Sequence, residues 1–329
     1  MHNFKKILPP ALCIIAFFAI LWFLDTALYP ITYTRNDLHT VSSEQKDVII
    51  LGTSNGKMNL DPDVMLAGTG LSGHNLCAGG QYPVDAYYLA KLVIEKQDPE
   101  MMILELDPGY YMMEKEPGNN YLLFYHEFPL SFAKAEYFMD TVLTQDFRMW
   151  LFPFYEYSFS FEVQHMGDTL KQKLGGIYDA EKLKNSQQAY QENGFIEKFP
   201  VDVADFPPYS PELFEEERIL PESMDYLDKV IGLCRENDID VIAVSTPLPG
   251  GALKRDEEYF GAAWDYFGSF FDERDVPFYN FNKEYYTAFT HEDRAFVDFD
   301  GHMNGDAARA FSSVVGQIIW GTNNIPERS

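Results

Sequence analysis

The stretch that decides the fold is VIILGTSN, residues 48–55. Its apolar half, VIIL, is a short continuous run of the kind found in strands that are buried on both faces of a parallel sheet. The run ends at Gly52, and Ser54 follows where such a strand gives way to a turn. We therefore predict a buried strand over 47–51, with a serine on the turn that follows it.

Strand and helix patterns alternate on both sides of this stretch. Apolar residues recur at helical spacing between short apolar runs, which predicts strands connected through helices. The predicted elements are strands at 74–77, 101–107, 240–245 and 276–280 and helices at 83–96, 224–234, 256–274 and 308–318. Such connections are right-handed crossovers between parallel strands. The predicted fold class is α/β: a three-layer sandwich with a parallel, flavodoxin-like sheet.

The amino terminus contains an apolar segment over 7–24 that follows two lysines and ends at Asp25. Its length is close to the minimum of ~17 residues for a membrane-spanning helix. Basic residues before it predict a cytoplasmic amino terminus and an extracytoplasmic carboxyl-terminal domain. A cleaved signal peptide is the alternative, but Asp25 occupies a cleavage-site position, before Ala27, that requires a small residue. We expect residues 1–25 to form a single-pass anchor in the cell membrane.

The rest of the chain divides by composition. Residues 26–46 are polar and are interpreted as a tether, followed by one main domain over 47–325. Residues 115–215 interrupt the strand–helix alternation, and 15 of the 41 residues over 121–161 are aromatic. We predict a helical insertion whose aromatic residues form its own core. The alternative is a surface that rests on the bilayer interface or on a membrane-embedded partner. The acidic, proline-rich segment 200–222 predicts an extended return connection.

Composition excludes several classes of function. The 329 residues carry a net charge of −26, which repels nucleic acid and anionic lipid headgroups. The cysteines, Cys13, Cys77 and Cys234, lack metal-ligand spacing and are expected to be small apolar residues. A nucleotide-binding Rossmann domain is disfavoured because GTSNG, residues 52–56, lacks the third glycine of G-x-G-x-x-G. We predict no cofactor and no metal.

Ligands of an open parallel sheet bind beyond the carboxyl ends of its strands. The features that fall there are Ser54 after the first strand, Gly79 and Gly80 after the second, Asp107 after the third, and Asp300 and His302 before the last helix. A serine hydroxyl needs a base to take its proton, and the base needs an acid to fix its tautomer. We assign Ser54 as nucleophile and His302 as base. The acid is Asp300 or, failing that, Asp298.

A transition-state oxyanion needs hydrogen-bond donors. The N–H of Ser54, with that of Gly80 or Gly79, is predicted to supply them, because a glycine lets the backbone approach the substrate. Asp107 and Asn304 are further candidates for contact with the oxyanion or the substrate.

Each of these features also has a structural interpretation. Ser54 is a suitable helix cap, the two glycines suit a simple turn, and His302 suits a surface position at a helix start. Asp298, Asp300 and His302 share a face if the backbone is extended, and would then suit a metal ion. We disfavour the metal because no further carboxylate or histidine is paired with them in the sequence.

These motifs resemble those of the SGNH/GDSL hydrolase superfamily. More narrowly, they are similar to its membrane-anchored extracytoplasmic branch, which includes the teichoic-acid D-alanylation protein and the alginate acetylation proteins. The matching segments are ILGTS (50–54), LDP (60–62), NLCAGG (75–80), VSTPLP (244–249) and DGHMN (300–304). The resemblance covers 47–110 and 225–320 and leaves the aromatic insertion unaccounted for.

The resemblance implies that Ser54 is the nucleophile, His302 the base, Asp300 its acid and Gly80 the second oxyanion donor. Two features depart from the pattern. The segment ELD, 105–107, stands where many members carry an asparagine donor. The acid-to-histidine spacing also differs from the commoner acid-x-x-histidine, which leaves the choice of aspartate open.

We therefore expect a membrane-anchored O-acyltransferase or esterase that passes acetyl or another small acyl group to a cell-surface glycan or polymer. The resemblance suggests a membrane-bound O-acyltransferase as the partner that supplies the acyl group. The alternative is a non-catalytic glycan-binding or scaffolding protein of the envelope.

Overall fold

The computed structural model describes residues 4–115, 122–152, 166–209 and 212–321. Its centre is a sheet of five parallel strands in the order β2-β1-β3-β6-β7. A separate antiparallel hairpin consists of β4 and β5. The strands are β1 (Val48–Leu51), β2 (Gly73–Asn75), β3 (Met101–Glu105), β4 (Gln188–Tyr190), β5 (Ile196–Lys198), β6 (Asp240–Ser245) and β7 (Phe278–Asn280).

Helices lie on both sides of this sheet. In the described residues the α-helices are α1 (Phe4–Leu28), α2 (Tyr33–Ser43), α3 (Ser54–Asn59), α4 (Pro62–Met65), α5 (Pro83–Lys96), α6 (Phe132–Asp140), α7 (Phe147–Leu151), α8 (Met166–Leu174), α9 (Pro221–Glu236), α10 (Gly250–Arg255), α11 (Glu257–Asp272) and α12 (Gly305–Trp320).

The sheet separates two apolar cores, because successive side chains of a strand point to opposite faces. Ile49 and Leu51 of β1 pack with α5, α9 and α11, whereas Val48 and Ile50 pack with α12. The strand order is that of a doubly wound, flavodoxin-like sheet. The predicted α/β fold class, with a three-layer arrangement and a parallel sheet, is confirmed. The predicted strands are present with ends that differ by one to two residues.

Residues 26–46 are not simply a tether. Thr32 caps α2 by accepting a hydrogen bond from the Arg35 N–H, and Leu38 and Val41 of this helix are buried in the core beside α5. The polar composition misled the prediction because its polar side chains find buried partners. Asp37 is the main case, since its carboxylate pairs with the fully buried Lys57 of α3 at 2.7 Å.

The insertion over 115–215 is partly helical, with α6, α7 and α8, and also contains the β4–β5 hairpin. Its aromatic residues do not all belong to a separate core, because some of them pack into the core beside the sheet. Tyr137 of α6 stacks on Tyr88 of α5, with ring centroids 4.4 Å apart, and Phe124 belongs to the same core as the sheet. Much of the aromatic run, at 153–161, lies outside the described residues. In the return connection the structure has short 3-10 turns at Val203–Asp205 and Glu216–Arg218.

One helix in the described part of the chain, Pro9–Leu28 within α1, is long and apolar enough to cross a membrane. It extends beyond the predicted segment, which ended at residue 24. Four residues separate its end from the start of α2.

Candidate active site

Ser54 is the first residue of α3, and two residues separate it from the end of β1. The turn between them requires Gly52, which has a φ of +151° and stands where an added Cβ would lie 2.6 Å from the Glu105 Cβ. The helix cap is Thr53, whose hydroxyl oxygen accepts the Asn55 N–H. The cap role suggested for Ser54 is thus filled by its neighbour, which leaves the Ser54 hydroxyl for other partners.

The structure brings Ser54 and His302 together although 248 positions separate them in the chain. The Ser54 hydroxyl lies 2.8 Å from His302 Nε2, and His302 Nδ1 lies 2.7 Å from Asp298 Oδ2. With the ring proton on Nδ1, that nitrogen donates to the carboxylate and Nε2 accepts from the serine. This is the arrangement in which an imidazole removes a hydroxyl proton.

The acid in contact with His302 is Asp298, so the assignment to Asp300 is corrected to the alternative that the sequence left open. Asp298 Oδ1 accepts the N–H groups of Asp300 and His302 at 3.0 and 3.2 Å, which folds the segment into a tight turn. In this turn the Asp300 side chain is exposed, whereas Asp298 faces the histidine. Gly301 allows the turn, with a φ of +100°.

The lowered pKa of Asp298 suits a carboxylate that stabilises an imidazolium. Burial alone would raise the pKa of Asp298, but the hydrogen bond and charge of His302, together with the two backbone N–H groups, lower it below the usual range. The metal interpretation required a common face for Asp298, Asp300 and His302, and here two of them bind each other. Among the described residues no group of three His, Cys, Asp or Glu side chains is arranged to hold a metal ion.

The structure gives the positions of the predicted oxyanion donors, Ser54, Gly79 and Gly80. The Ser54 N–H is in the first turn of α3, where a helix leaves N–H groups without partners inside the helix. Gly79 lies next to Ser54, since a Cβ added there would be 3.8 Å from the Ser54 Cβ. The Gly80 N–H instead donates to the Tyr110 hydroxyl at 3.2 Å. The Gly79 N–H also faces a tyrosine hydroxyl, that of Tyr33. Proximity to Ser54 is therefore the feature that favours Gly79 over Gly80 as the candidate second donor.

The two carboxyl groups at the end of β3 have different partners. Glu105, the last residue of β3, accepts the Thr53 N–H at 2.7 Å and the Thr53 hydroxyl at 2.9 Å. Burial, with the charge of Asp107, raises the pKa of Glu105 to about 8. Asp107 lines the cleft and accepts the Gly109 N–H at 3.0 Å. Burial also raises the pKa of Asp107.

A cleft of about 400 Å³ opens beside Ser54 and His302. Its walls combine aromatic rings with carboxyl groups, and Arg255 holds one ring in place by lying 3.8 Å from the Tyr209 ring centroid. The lining includes the rings of Tyr110, Tyr209, Phe260, Trp264 and Phe299 and the carboxyl groups of Asp107, Glu212 and Asp300. Aromatic faces and acidic side chains suit a neutral, hydroxyl-rich ligand better than an anionic one.

Asn304 is a structural residue rather than a substrate contact. Its side-chain oxygen accepts the Ala307 N–H at 3.1 Å and caps α12, while its amide donates to the Arg294 carbonyl at 3.0 Å. This corrects its listing among the oxyanion and substrate candidates. Asparagine directly before a helix is a common cap, which is the signal that the sequence offered.

Two asparagines of α3 were missed by the sequence reasoning. Asn55 lines the cleft beside Ser54, and its Oδ1 is buried without a hydrogen-bond partner among the described residues. Asn59 is fully buried and donates to the Gly301 carbonyl at 2.8 Å. Nothing in the spacing distinguishes these residues from ordinary polar positions of a short helix.

Comparison with known proteins gives structural similarities alone. No protein-family model matches the chain, and no curated protein matches it. A candidate acylhydrolase from Bacteroides fragilis NCTC 9343 aligns at 10% identity, over 86% of this chain and 93% of that chain, with a TM-score of 0.39. A candidate lipolytic protein of the G-D-S-L family from Desulfitobacterium hafniense DCB-2 aligns at 10% identity, over 83% and 98%, with a TM-score of 0.38.

A GDSL-like lipase from Bacteroides thetaiotaomicron VPI-5482 aligns at 11% identity, over 88% of this chain and 97% of that chain, with a TM-score of 0.40. Two of the three descriptions name the GDSL family, and the third names an acylhydrolase. At these TM-scores the alignments carry no argument about activity. The membrane-anchored branch of the superfamily stays a prediction.

Proposed function

We propose that this chain is a membrane-anchored serine esterase or O-acyltransferase of the SGNH type. The observation that supports the proposal most strongly is the pair of hydrogen bonds that join Ser54, His302 and Asp298 at 2.8 and 2.7 Å. A histidine with a purely structural role does not require a serine hydroxyl at one ring nitrogen together with a carboxylate at the other.

In the first half of the reaction, the Ser54 oxygen attacks the carbonyl carbon of an ester while His302 takes the serine proton. The carbonyl oxygen becomes an oxyanion, for which the N–H groups of Ser54 and Gly79 are the proposed donors. The tetrahedral intermediate collapses, the bond to the alcohol breaks, and His302 gives its proton to the departing alcohol oxygen. Ser54 then carries the acyl group.

In the second half, water or a sugar hydroxyl attacks the acyl carbon and loses its proton to His302. The Ser54–acyl bond breaks, and His302 returns the proton to the serine oxygen. Asp298 keeps the imidazole in the correct tautomer and stabilises its charged form throughout. The acidic and aromatic cleft supports a glycan hydroxyl as the acceptor, which favours transfer to a polymer.

We place the domain outside the cell, because Lys5 and Lys6 precede the apolar span Pro9–Leu28. A cell-surface glycan or polymer is then within reach. A membrane-bound O-acyltransferase that presents acyl groups at the outer face of the membrane is the proposed partner.

The test is covalent labelling of the full chain in detergent with a serine-directed fluorophosphonate, followed by peptide mass spectrometry. We expect the label on Ser54, and no label in Ser54→Ala, whose melting temperature should equal that of the wild type. Ser42→Ala is the control, since that serine bonds a backbone carbonyl of α2. A wild-type chain that stays unlabelled would favour the non-catalytic, glycan-binding alternative.

A further inference from the structure

The apolar helix α1 leaves the folded domain at a defined point. Trp22 and Phe23 are 70% and 47% exposed, whereas Ala27 and Leu28 are buried. The helix therefore enters the domain within the three residues, 24–26, that separate these pairs. A tryptophan near the end of an apolar span is typical of the headgroup level of a bilayer. Asp25 lies about 4.5 Å further along the helix axis than Trp22, at 1.5 Å per residue.

Two parts of the insertion contact α1 at this point. His126 Nε2 lies 3.1 Å from Asp25 Oδ1, and the His126 ring stacks on Tyr29 with centroids 3.7 Å apart. From the other part, the Lys173 ammonium donates to the Thr26 carbonyl at 2.6 Å. The insertion is thereby fixed at the level where α1 emerges.

Large apolar side chains near these contacts point into solvent. Leu130, Phe132 and Leu174 are 93%, 82% and 88% exposed, and we call these three residues the apolar collar. Leu174 directly follows the lysine that bonds Thr26. Lys134, beside the other two residues, lies close enough to Asp25 and Glu127 for both carboxylates to oppose the lowering of its pKa by burial.

We propose that the apolar collar inserts into the lipid bilayer around the exit point of α1. The proposal rests on the anchor, which is part of the proposed function. Lipid is the favoured occupant because both segments that carry the collar contact α1 within its last four residues, so a bilayer that surrounds the exposed part of α1 comes close to the collar. Exposed apolar surface of this kind is uncommon in water and marks contact with an apolar phase.

The collar has a consequence for the active site. Tyr33, in the first turn of α2, has its hydroxyl facing the N–H of Gly79, which adjoins Ser54. Four residues separate the end of α1 from Tyr33, so the exit point of α1 is close along the chain to the edge of the sheet where Gly79 and Ser54 lie. Insertion of the collar would hold this edge near the membrane.

The test uses the full chain with Cys13→Ser, because Cys77 and Cys234 are buried and do not compete for a label. A single cysteine is introduced by Phe132→Cys or Leu174→Cys and labelled with the fluorophore NBD. Glu273→Cys is the control, since its side chain is 76% exposed at the end of α11, which is the opposite edge of the sheet. The labelled chains are reconstituted into phosphatidylcholine vesicles with nitroxide groups on the acyl chains.

We expect both collar labels to shift to shorter emission wavelength and to be quenched by the nitroxide lipids at least twofold more than the control label. Vesicle flotation is measured first. If the chains float but the collar labels behave like the control, the collar proposal is overturned and the proposed anchor stays intact. The same conclusion holds if a membrane protein, and not lipid, covers the collar. Chains that fail to float overturn both. Fluorophosphonate labelling of Ser54 is independent of either result.

Discussion

Asn59 connects α3, the nucleophile helix that begins at Ser54, to the loop 298–303, which we call the histidine loop. Its amide nitrogen donates to the Gly301 carbonyl at 2.8 Å. Its side-chain oxygen accepts the N–H of Met303, also at 2.8 Å. His302 stands between these two residues, so one buried amide fixes the backbone on both sides of the base. The same amide contacts the Thr246 hydroxyl, which extends the connection to the end of β6.

We predict that Asn59→Ala lowers kcat for a small ester such as p-nitrophenyl acetate by roughly 10²-fold, because a displaced base loses its alignment with Ser54. Loss of stability of ~1–3 kcal/mol accompanies it, from the unpaired backbone groups. Asn280→Ala is the matched control, since Asn280 is a fully buried asparagine that accepts the Asn282 N–H away from the histidine loop. If both variants lose stability and activity alike, Asn59 has no special role in placing His302.

The assignment of the acid gives a direct comparison of two neighbouring aspartates. Asp298→Asn should lower kcat by about 10³–10⁴-fold, because an amide stabilises the wrong tautomer and no longer balances the imidazolium charge. For a small ester, Asp300→Asn should change kcat no more than about threefold, since its carboxyl group lines the open cleft and only its N–H takes part in the turn that holds His302. Ester hydrolysis by the two purified variants is the measurement. A larger loss in Asp300→Asn would restore that residue as the acid.

Glu105 predicts how stability depends on pH. Its pKa is raised from 4.5 to about 8 in the folded protein, mainly by burial. The folded state thus binds this proton more tightly than the unfolded state, and the contribution of Glu105 to stability is present at low pH and is lost between about pH 4.5 and pH 8. Glu105→Gln keeps an oxygen for the Thr53 N–H but does not titrate.

Relative to Glu105→Gln, the wild type should therefore lose stability as the pH rises from 5 to 8. Urea unfolding of both proteins at several pH values measures the difference, which should grow by about 1 kcal/mol or more, at 1.36 kcal/mol for each pKa unit realised. A difference that is constant with pH would show that Glu105 does not carry the shifted pKa.

The buried ion pair of Asp37 and Lys57 attaches α2 to α3, so we expect it to decide how far the chain can be shortened. Removal of one partner of a buried ion pair costs about 3–5 kcal/mol, because the other charge is left without compensation. Asp37→Asn should therefore lower the melting temperature strongly. The double change Asp37→Leu with Lys57→Met should recover only part of the loss, because His74 and Tyr190 also lose their hydrogen bonds to Asp37. Deletion of residues 1–46 should give an insoluble protein, and deletion of residues 1–28 a folded one. Soluble, active protein from the longer deletion would contradict this.

Asn55 offers a prediction about substrate contact. Its side chain lines the cleft beside Ser54, and its Oδ1 is buried without a partner in the described part of the chain. Asn55→Ala should raise KM or lower kcat for an ester by about 10-fold, the effect of one lost neutral hydrogen bond. Fluorophosphonate labelling of Ser54 should persist, which separates a loss of substrate contact from a loss of the nucleophile. Unchanged kinetics would remove Asn55 from the site.

The fold was predictable because its signals are local. VIIL and the apolar runs of β3 and β6 are buried on both faces, so their composition alone distinguishes them from amphipathic helices. The apolar helix α1 is also encoded in a single continuous segment. The meeting of Ser54 and His302 followed from topology, since residues after parallel strands gather at one edge of a sheet.

Features that depend on pairing in space were not predictable. Asp298 and Asp300 look alike in the sequence, and the backbone turn around Gly301 decides which of them faces the histidine. The α2 helix reads as a polar linker because its buried Asp37 is compensated by a lysine 20 positions away. Asn304 and Asn59 are both asparagines near the site. Only their burial and hydrogen-bond partners show that Asn304 caps a helix, whereas Asn59 holds the loop around His302.

The short passage from α1 to α2 limits the reach of Ser54. With four residues between the helices and α2 locked by Asp37 to the nucleophile helix, an α1 anchored in lipid as proposed would hold Ser54 at a fixed height above the lipid surface. Under the proposed acyl transfer, a polymer that extends far from the cell would then be acylated close to its point of attachment or during export, before its distal units move out of range.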